Sequence, residues 1–287
     1  MAVINDAIAG FKRSGMLMKI IWVNIAVFVV LRLLAIVGIF AGSPAFIDDV
    51  LMWVEMPSRP EMLISRPWTV VTYMFTHYDL IHILFNMLWL YWFGTLFTMV
   101  ATQRQMFALY LLGGLGGAAV YLAAYNVLPF FSSTLGMLTG ASASVIAIVT
   151  ASAILMPDFK MNLLFIGGVS LKWIALATIF LVLIGVAGTN VGGELAHLGG
   201  ILVGAAFAIQ LKKGRDITAP INRLLHVLAN GLSRSSAAKA QENGPSINRS
   251  EHEELNEILE KIRRSGYTSL SPRERDRLFE LSRNIKI

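Results

Sequence analysis

The chain contains no cysteine, and its first 210 residues carry little charge: nine Lys or Arg and eight Asp or Glu. Without a thiol there is no disulfide scaffold, no thiolate zinc site and no cysteine nucleophile. The zincin pattern His-Glu-x-x-His is missing, and His77 and His82 stand five apart, off the same-face spacing of a helix. No repeat of solenoid period is present. What is plentiful is hydrocarbon: of 287 residues 55% are hydrophobic and only 15% charged, too apolar for an ordinary water-soluble chain. Residues 211–287, by contrast, carry fifteen basic and ten acidic groups, so the net charge of +6 divides into +1 on the body and +5 on the tail. A membrane-embedded body followed by a charged tail is expected. Basic charge beside a membrane favours anionic headgroups as the partner, not nucleic acid.

A helix needs about 20 apolar residues to cross roughly 30 Å of hydrocarbon. Six stretches qualify, at about 20–41, 80–100, 106–125, 141–156, 163–187 and 195–211, of which the fourth is short. The first is too long, and too lightly preceded by charge, for a cleaved signal peptide. Lys12, Arg13 and Lys19 precede it, while Arg104, Lys160 and the Lys212-Lys213-Gly214-Arg215 cluster follow the second, fourth and sixth. These places share one side, so the positive-inside bias puts both termini in the cytoplasm. The division expected is 1–19 N-terminus, 20–211 six-span body, 212–249 juxtamembrane segment and linker, and 250–287 helical hairpin. The fold class is all-α.

Between the first two spans, Trp53, Met52, Met56, Met62 and Leu63 are too apolar for a hydrated loop, and Pro57, Pro60 and Pro67 forbid one continuous helix. This segment is expected half-submerged in the interface. Arg32, inside the first span, reads as a structural residue whose head reaches a carbonyl or phosphate. After Arg215 an amphipathic stretch (Pro220, Ile221, Leu224, Leu225, Leu228) suits the membrane surface. In the tail, Leu255, Ile258, Leu259 and Ile262 recur at helical spacing behind a Ser250/Glu253 capping box, and Ser271-Pro272-Arg273-Glu274 opens a second helix. Two short helices bury little, so this hairpin is expected to have a cytoplasmic partner.

Polar side chains inside spans are costly unless paired, which makes them the place to look for function. His82 and Asn86 share a face at the start of span two, Ser142 opens span four and His197 lies at the start of span six. By the orientation above all four lie in one shallow extracytoplasmic layer. Ala196, Gly200 and Gly204 form a small-residue stripe, and packing it on a Ser142/Ile146/Val149 face brings the serine hydroxyl towards His197. Serine beside histidine is the minimum for nucleophilic acyl transfer, and the Ser142 N–H, His82 and Asn86 are suitable donors to an oxyanion.

Gly140-Ala141-Ser142, Ala196-His197 with Gly200 and Gly204, and His77-x4-His82-x3-Asn86 together resemble the rhomboid intramembrane serine proteases, over residues of about 20–211. The resemblance implies hydrolysis of peptide bonds in or near the transmembrane helices of other membrane proteins, with no metal or cofactor. It implies Ser142 as nucleophile, His197 as general base and then acid, His82 and Asn86 as oxyanion stabilisers and His77 as an auxiliary residue near the mouth. It also implies a bacterial inner-membrane location. Three positions depart from the family pattern: Ala143 where glycine is common, Ile146 where tyrosine is common and Thr69 after Trp68 where arginine is common. The alternative is an inactive relative that binds transmembrane helices, and more distantly a transporter, which calls for ionisable groups through the whole membrane depth. Ser144 reads as packing. Glu194, one turn before His197, reads first as a solvated carboxylate at a helix start, with the orienting third member of a triad as the alternative.

Overall fold

The computed structural model describes residues 10–11, 13–163, 167–188, 190–227, 249–265 and 269–284. They divide into two compact units, Met1–Leu224 and Leu225–Ile287. The first is built on six apolar helices: α1 (Met16–Phe40), α2 (Leu80–Phe97), α3 (Gln103–Val127), α4 (Ser142–Leu155), α5 (Leu171–Gly185) and α6 (Val191–Lys212). Helices α1, α2, α3 and α6 are long and apolar enough to cross a membrane, whereas α4 and α5 are shorter apolar helices of 14 and 15 residues. Local chemistry sets several starts. Thr102 and Gln105 form a reciprocal capping box at α3, the Asp79 carboxylate accepts from the His82 N–H at α2, and Asn190 accepts from the Gly193 N–H at α6.

The outer surface of this unit is hydrocarbon. Leu33, Val37 and Ile39 on α1, and Phe180, Leu181 and Leu183 on α5, are each more than half exposed. In water such a surface aggregates; in a bilayer it faces lipid tails at no cost, and the helices satisfy their own backbone groups. The fold is that of an all-α polytopic membrane protein. Since lipid is as apolar as the core, close packing and internal hydrogen bonds hold the helices together. Asn24, fully buried on α1, donates to the Ile20 carbonyl at 2.9 Å and to the Tyr110 hydroxyl on α3 at 3.3 Å. Tyr110 in turn donates to the Met74 carbonyl at 2.7 Å, just before α2.

Helix α6 packs closely against α3 and α4 through glycine. A Cβ at Gly199 would strike the Gly116 carbonyl and lie 2.7 Å from the Gly117 Cα, and one at Gly204 would lie 2.9 Å from the Ala147 Cα. A Cβ at Gly200 would strike the Ala143 carbonyl. The face of α4 beneath this stripe is therefore Ala143/Ala147, a correction to the expected Ser142/Ile146/Val149 face. The reason is steric, since only a carbonyl and methyl surface allows so short a separation. One residue is about 100° of helix, so Ser142 is turned out of the contact.

Two small sheets interrupt the helical pattern. Strand β1 (Met56–Pro57) pairs antiparallel with β2 (Met137–Leu138), fastening the long first loop to the segment that leads into α4. Strands β3 (Lys160–Leu163) and β4 (Gly167–Ser170) form a hairpin ahead of α5. The fifth helix thus begins at Leu171 and not near 163, because Gly167 sits at φ +88° and Gly167-Gly168 breaks an apolar run that hydropathy alone reads as continuous. In the first loop Trp53 stacks on Trp68 at 5.8 Å, with the Trp68 indole N–H donating to the Trp53 carbonyl. The Arg32 guanidinium lies 4.4 Å from the Tyr78 ring centroid, a cation–π contact. Residues 219–227 are helical; Leu228 lies outside the described residues.

In the second unit, α7 (Arg249–Ser265) and α8 (Pro272–Asn284) are strongly amphipathic, and Ile258 and Leu270 are buried. Leu259 is exposed. Ser271 and Glu274 cap α8 reciprocally, and Lys261 donates to Glu274 at 2.7 Å across the hairpin. The side chains of Ser250, Glu253 and Leu255 lie outside those described.

Candidate active site

A cavity of about 320 Å³ opens among α2, α4, α5 and α6. Phe85, Trp89, Val145, Ile146, Leu181 and Val182 make its apolar walls, and its polar residues include His82, Asn86, Ser142, Glu194 and His197. Because α4 turns its Ala143/Ala147 face to α6, the Ser142 hydroxyl projects into this space and stays partly exposed. His197 Nε2 lies 2.7 Å from Ser142 Oγ. On the other side of the ring, His197 Nδ1 lies 2.9 Å from Glu194 Oε2. Both side chains of that pair are mostly shielded, 16% and 21% exposed.

The backbone ahead of Ser142 is fixed residue by residue. Gly136 N–H donates to Ser58 Oγ, Ser58 N–H to the Gly136 carbonyl, Thr139 Oγ1 to the Thr76 carbonyl and Gly140 N–H to the Tyr73 carbonyl, all between 2.8 and 3.0 Å. Ala141 N–H donates to His77 Nε2 at 3.1 Å. Gly140 has φ +107°, a left-handed conformation, and a Cβ there would lie 2.6 Å from the His82 Cε1. Only glycine satisfies both conditions. Ala141 has no side-chain group with which to cap α4, so the first N–H groups of the helix have no intrahelical partner and project near the serine.

The model of the Rhomboid domain family matches residues 65–214, just over half of the 287 residues. The chain belongs to the rhomboid family. A relative, RHOMBOID-like protein 12, mitochondrial, of Arabidopsis thaliana, is 30% identical over 192 residues, covering 62% of this chain and 56% of that protein. The chain thus spans little more than half the length of that curated relative. A second model, of a family of unknown function (DUF6576), matches residues 247–284, which hold the α7–α8 hairpin.

Within this rhomboid-family body the other candidates occupy distinct places. His82 lines the cavity, lies over Gly140 and meets His77 edge-to-face at 5.2 Å. Asn86 also lines the cavity, but one of its two N–H donors is committed to the His82 carbonyl at 3.0 Å, leaving one for the cavity. His77 is fully buried against the Ala141 backbone and does not line the mouth. Ser144 is buried with its hydroxyl unpartnered, beside Gly113 of α3. Ile146 faces the cavity and Ala143 packs beneath Gly200. Thr69 is buried, donating to the Arg66 carbonyl at 2.7 Å.

Of the two readings of Glu194, the solvated carboxylate is corrected and the alternative is the arrangement seen: the carboxylate lies 2.9 Å from His197 Nδ1. The space it occupies is made by Gly185 at the end of α5, where a Cβ would lie 2.6 Å from the Glu194 Cδ. The three-residue spacing from His197 was the available signal; the closing wall from α5 has no local signature.

Proposed function

We propose that this rhomboid-family protein is an intramembrane serine endopeptidase that cuts transmembrane segments of other membrane proteins with a Ser142/His197 pair. The observation that carries the reading is the 2.7 Å approach of His197 Nε2 to Ser142 Oγ at a cavity walled by membrane helices. As the Ser142 oxygen attacks a peptide carbonyl, the His197 imidazole takes the hydroxyl proton, and a tetrahedral oxyanion forms. In this scheme His82, the second Asn86 N–H and the N–H groups at the start of α4 act as its donors; the presence of His82 and Asn86 in the cavity lining supports this. His197 then returns the proton to the leaving amine, giving an acyl-enzyme that water hydrolyses by the same steps.

The substrate class follows from the walls. Phe85, Trp89, Leu181 and Val182 offer an apolar surface suited to a helix arriving from the bilayer, and the segment must unwind to expose a carbonyl, so helix-weakening residues near the cut are favoured. No metal or cofactor takes part in this scheme, and lipid is the surrounding partner, with no role for nucleic acid. In a bacterial inner membrane, the Lys/Arg bias orients the body with both termini cytoplasmic. Residues 250–287 then lie where a cytoplasmic partner can bind them.

The experiment is covalent labelling of the detergent-solubilised full chain with a fluorophosphonate. Labelling abolished by Ser142→Ala and by His197→Ala supports the reading. Intact, folded protein that never labels makes it an inactive binder of transmembrane helices.

A further inference from the structure

Glu194 sits at the first turn of α6, three residues before His197, with its carboxylate oxygen 2.9 Å from the ring nitrogen that faces away from Ser142. A carboxylate is acceptor-only, so the Nδ1 atom of His197 must carry the hydrogen. In a neutral imidazole Nε2 is then the acceptor, and the Ser142 hydroxyl is the donor in the 2.7 Å contact. This is the one protonation arrangement in which histidine can remove the serine proton. Gly185 leaves the space for the carboxyl group, and the pair is largely shielded from water. Among the described residues lining the cavity, His82 is the remaining ionisable group; its ring lies over Gly140.

We infer that Glu194 is a positioning residue, the third member of a Ser142–His197–Glu194 chain, which holds His197 in the Nδ1–H tautomer and steadies the imidazolium formed during acylation. The inference rests on the proposed protease reading. It extends that reading from a two-residue site to one whose competence depends on α5, because Gly185 fixes where the carboxylate sits. Removing the carboxylate leaves the ring free to place its hydrogen on Nε2, facing Ser142, where it blocks the base.

The test uses the full chain in detergent with a single-span model substrate, separating kcat from KM, in parallel with the fluorophosphonate labelling rate of Ser142. Glu194→Gln is expected to lower kcat and labelling by about tenfold or more, the behaviour of a lost tautomer anchor, with KM within about twofold of the parent. Glu194→Asp is expected to keep more activity than Glu194→Gln, because charge matters more than shape; a purely structural role reverses that order, glutamine being the isostere. Gly185→Ala, which displaces the carboxyl group, is expected to lower kcat in the parent but to add little on top of Glu194→Ala. Parent-like kcat in Glu194→Gln, or full additivity of Gly185→Ala with Glu194→Ala, overturns the inference. A 15N NMR measurement on the resting protein separates this from the wider reading, since it requires no turnover. A proton on His197 Nδ1 in the parent and on Nε2 in Glu194→Gln supports the role of Glu194 even where no substrate is cut; a proton on Nε2 in the parent contradicts it.

Discussion

His77 Nε2 accepts the backbone N–H of Ala141 at 3.1 Å, one residue before the candidate nucleophile Ser142. The contact joins the segment before α2 to the start of α4, and both partners are fully buried. His77→Ala is expected to leave that N–H without a partner and destabilise the fold by about 1–3 kcal/mol. Thermal unfolding in detergent measures this, and fluorophosphonate labelling should fall with it as the strand-like approach to Ser142 loosens. An unchanged melting temperature contradicts the anchoring role.

Gly200 faces the Ala143 carbonyl at a separation that leaves no room for a methyl group. In an exposed helix glycine to alanine gains about 1 kcal/mol. Here Gly200→Ala is expected to reverse that sign, destabilising by about 1–3 kcal/mol through overpacking. Leu202→Ala, on the exposed lipid side of the same helix, should change stability far less. The two unfolding midpoints decide it.

Asn86 has one uncommitted N–H beside the cavity, and His82 lies against the Gly140 backbone. As oxyanion donors, each is worth a factor of about 10²–10³ in kcat. Asn86→Ala and His82→Ala are expected to lower kcat on that scale while changing KM little. A defect in KM alone assigns these residues to substrate binding instead.

How much of this was legible in the sequence varies by residue. The six apolar stretches each hold a helix, four of them long enough to meet the roughly 30 Å requirement for hydrocarbon, and the polar residues inside them were legible because the bilayer makes each of them conspicuous. The start of α5 was not: residues 163–170 are apolar enough to extend the helix, and only the Gly167-Gly168 pair marks the hairpin. The register of α4 on α6 was misread by one residue, because Ser142 and Ala143 are both small and only the carbonyl contact at Gly200 distinguishes them. For Glu194 the sequence offered both a solvated carboxylate and a partner of His197, and favoured the first because a carboxylate at a helix start has an ordinary macrodipole explanation, while the Gly185 wall that decides between them depends on packing between helices. The two-residue strands β1 and β2 carry no periodicity at all.

In the hairpin, the Lys261 ammonium donating to Glu274, followed by the Ser271 backbone N–H and hydroxyl, holds the Glu274 carboxyl down at about 2 against an ordinary 4.5. A depressed folded pKa means that its contribution is fully present above about pH 4.5 and is lost as pH falls towards about 2. Lys261→Met and Ser271→Ala should each move the carboxyl titration up towards the ordinary value. Side-chain 13C NMR of the full chain follows it; a midpoint near 4.5 in the parent contradicts the cap.

The most direct measurement is cleavage of a purified single-span membrane protein by the full chain, alongside Ser142→Ala and His197→Ala. The account predicts a cut within or next to the transmembrane segment by the parent and loss of cleavage in both variants, each folded to the parent's melting temperature. Undiminished cleavage by either variant contradicts it.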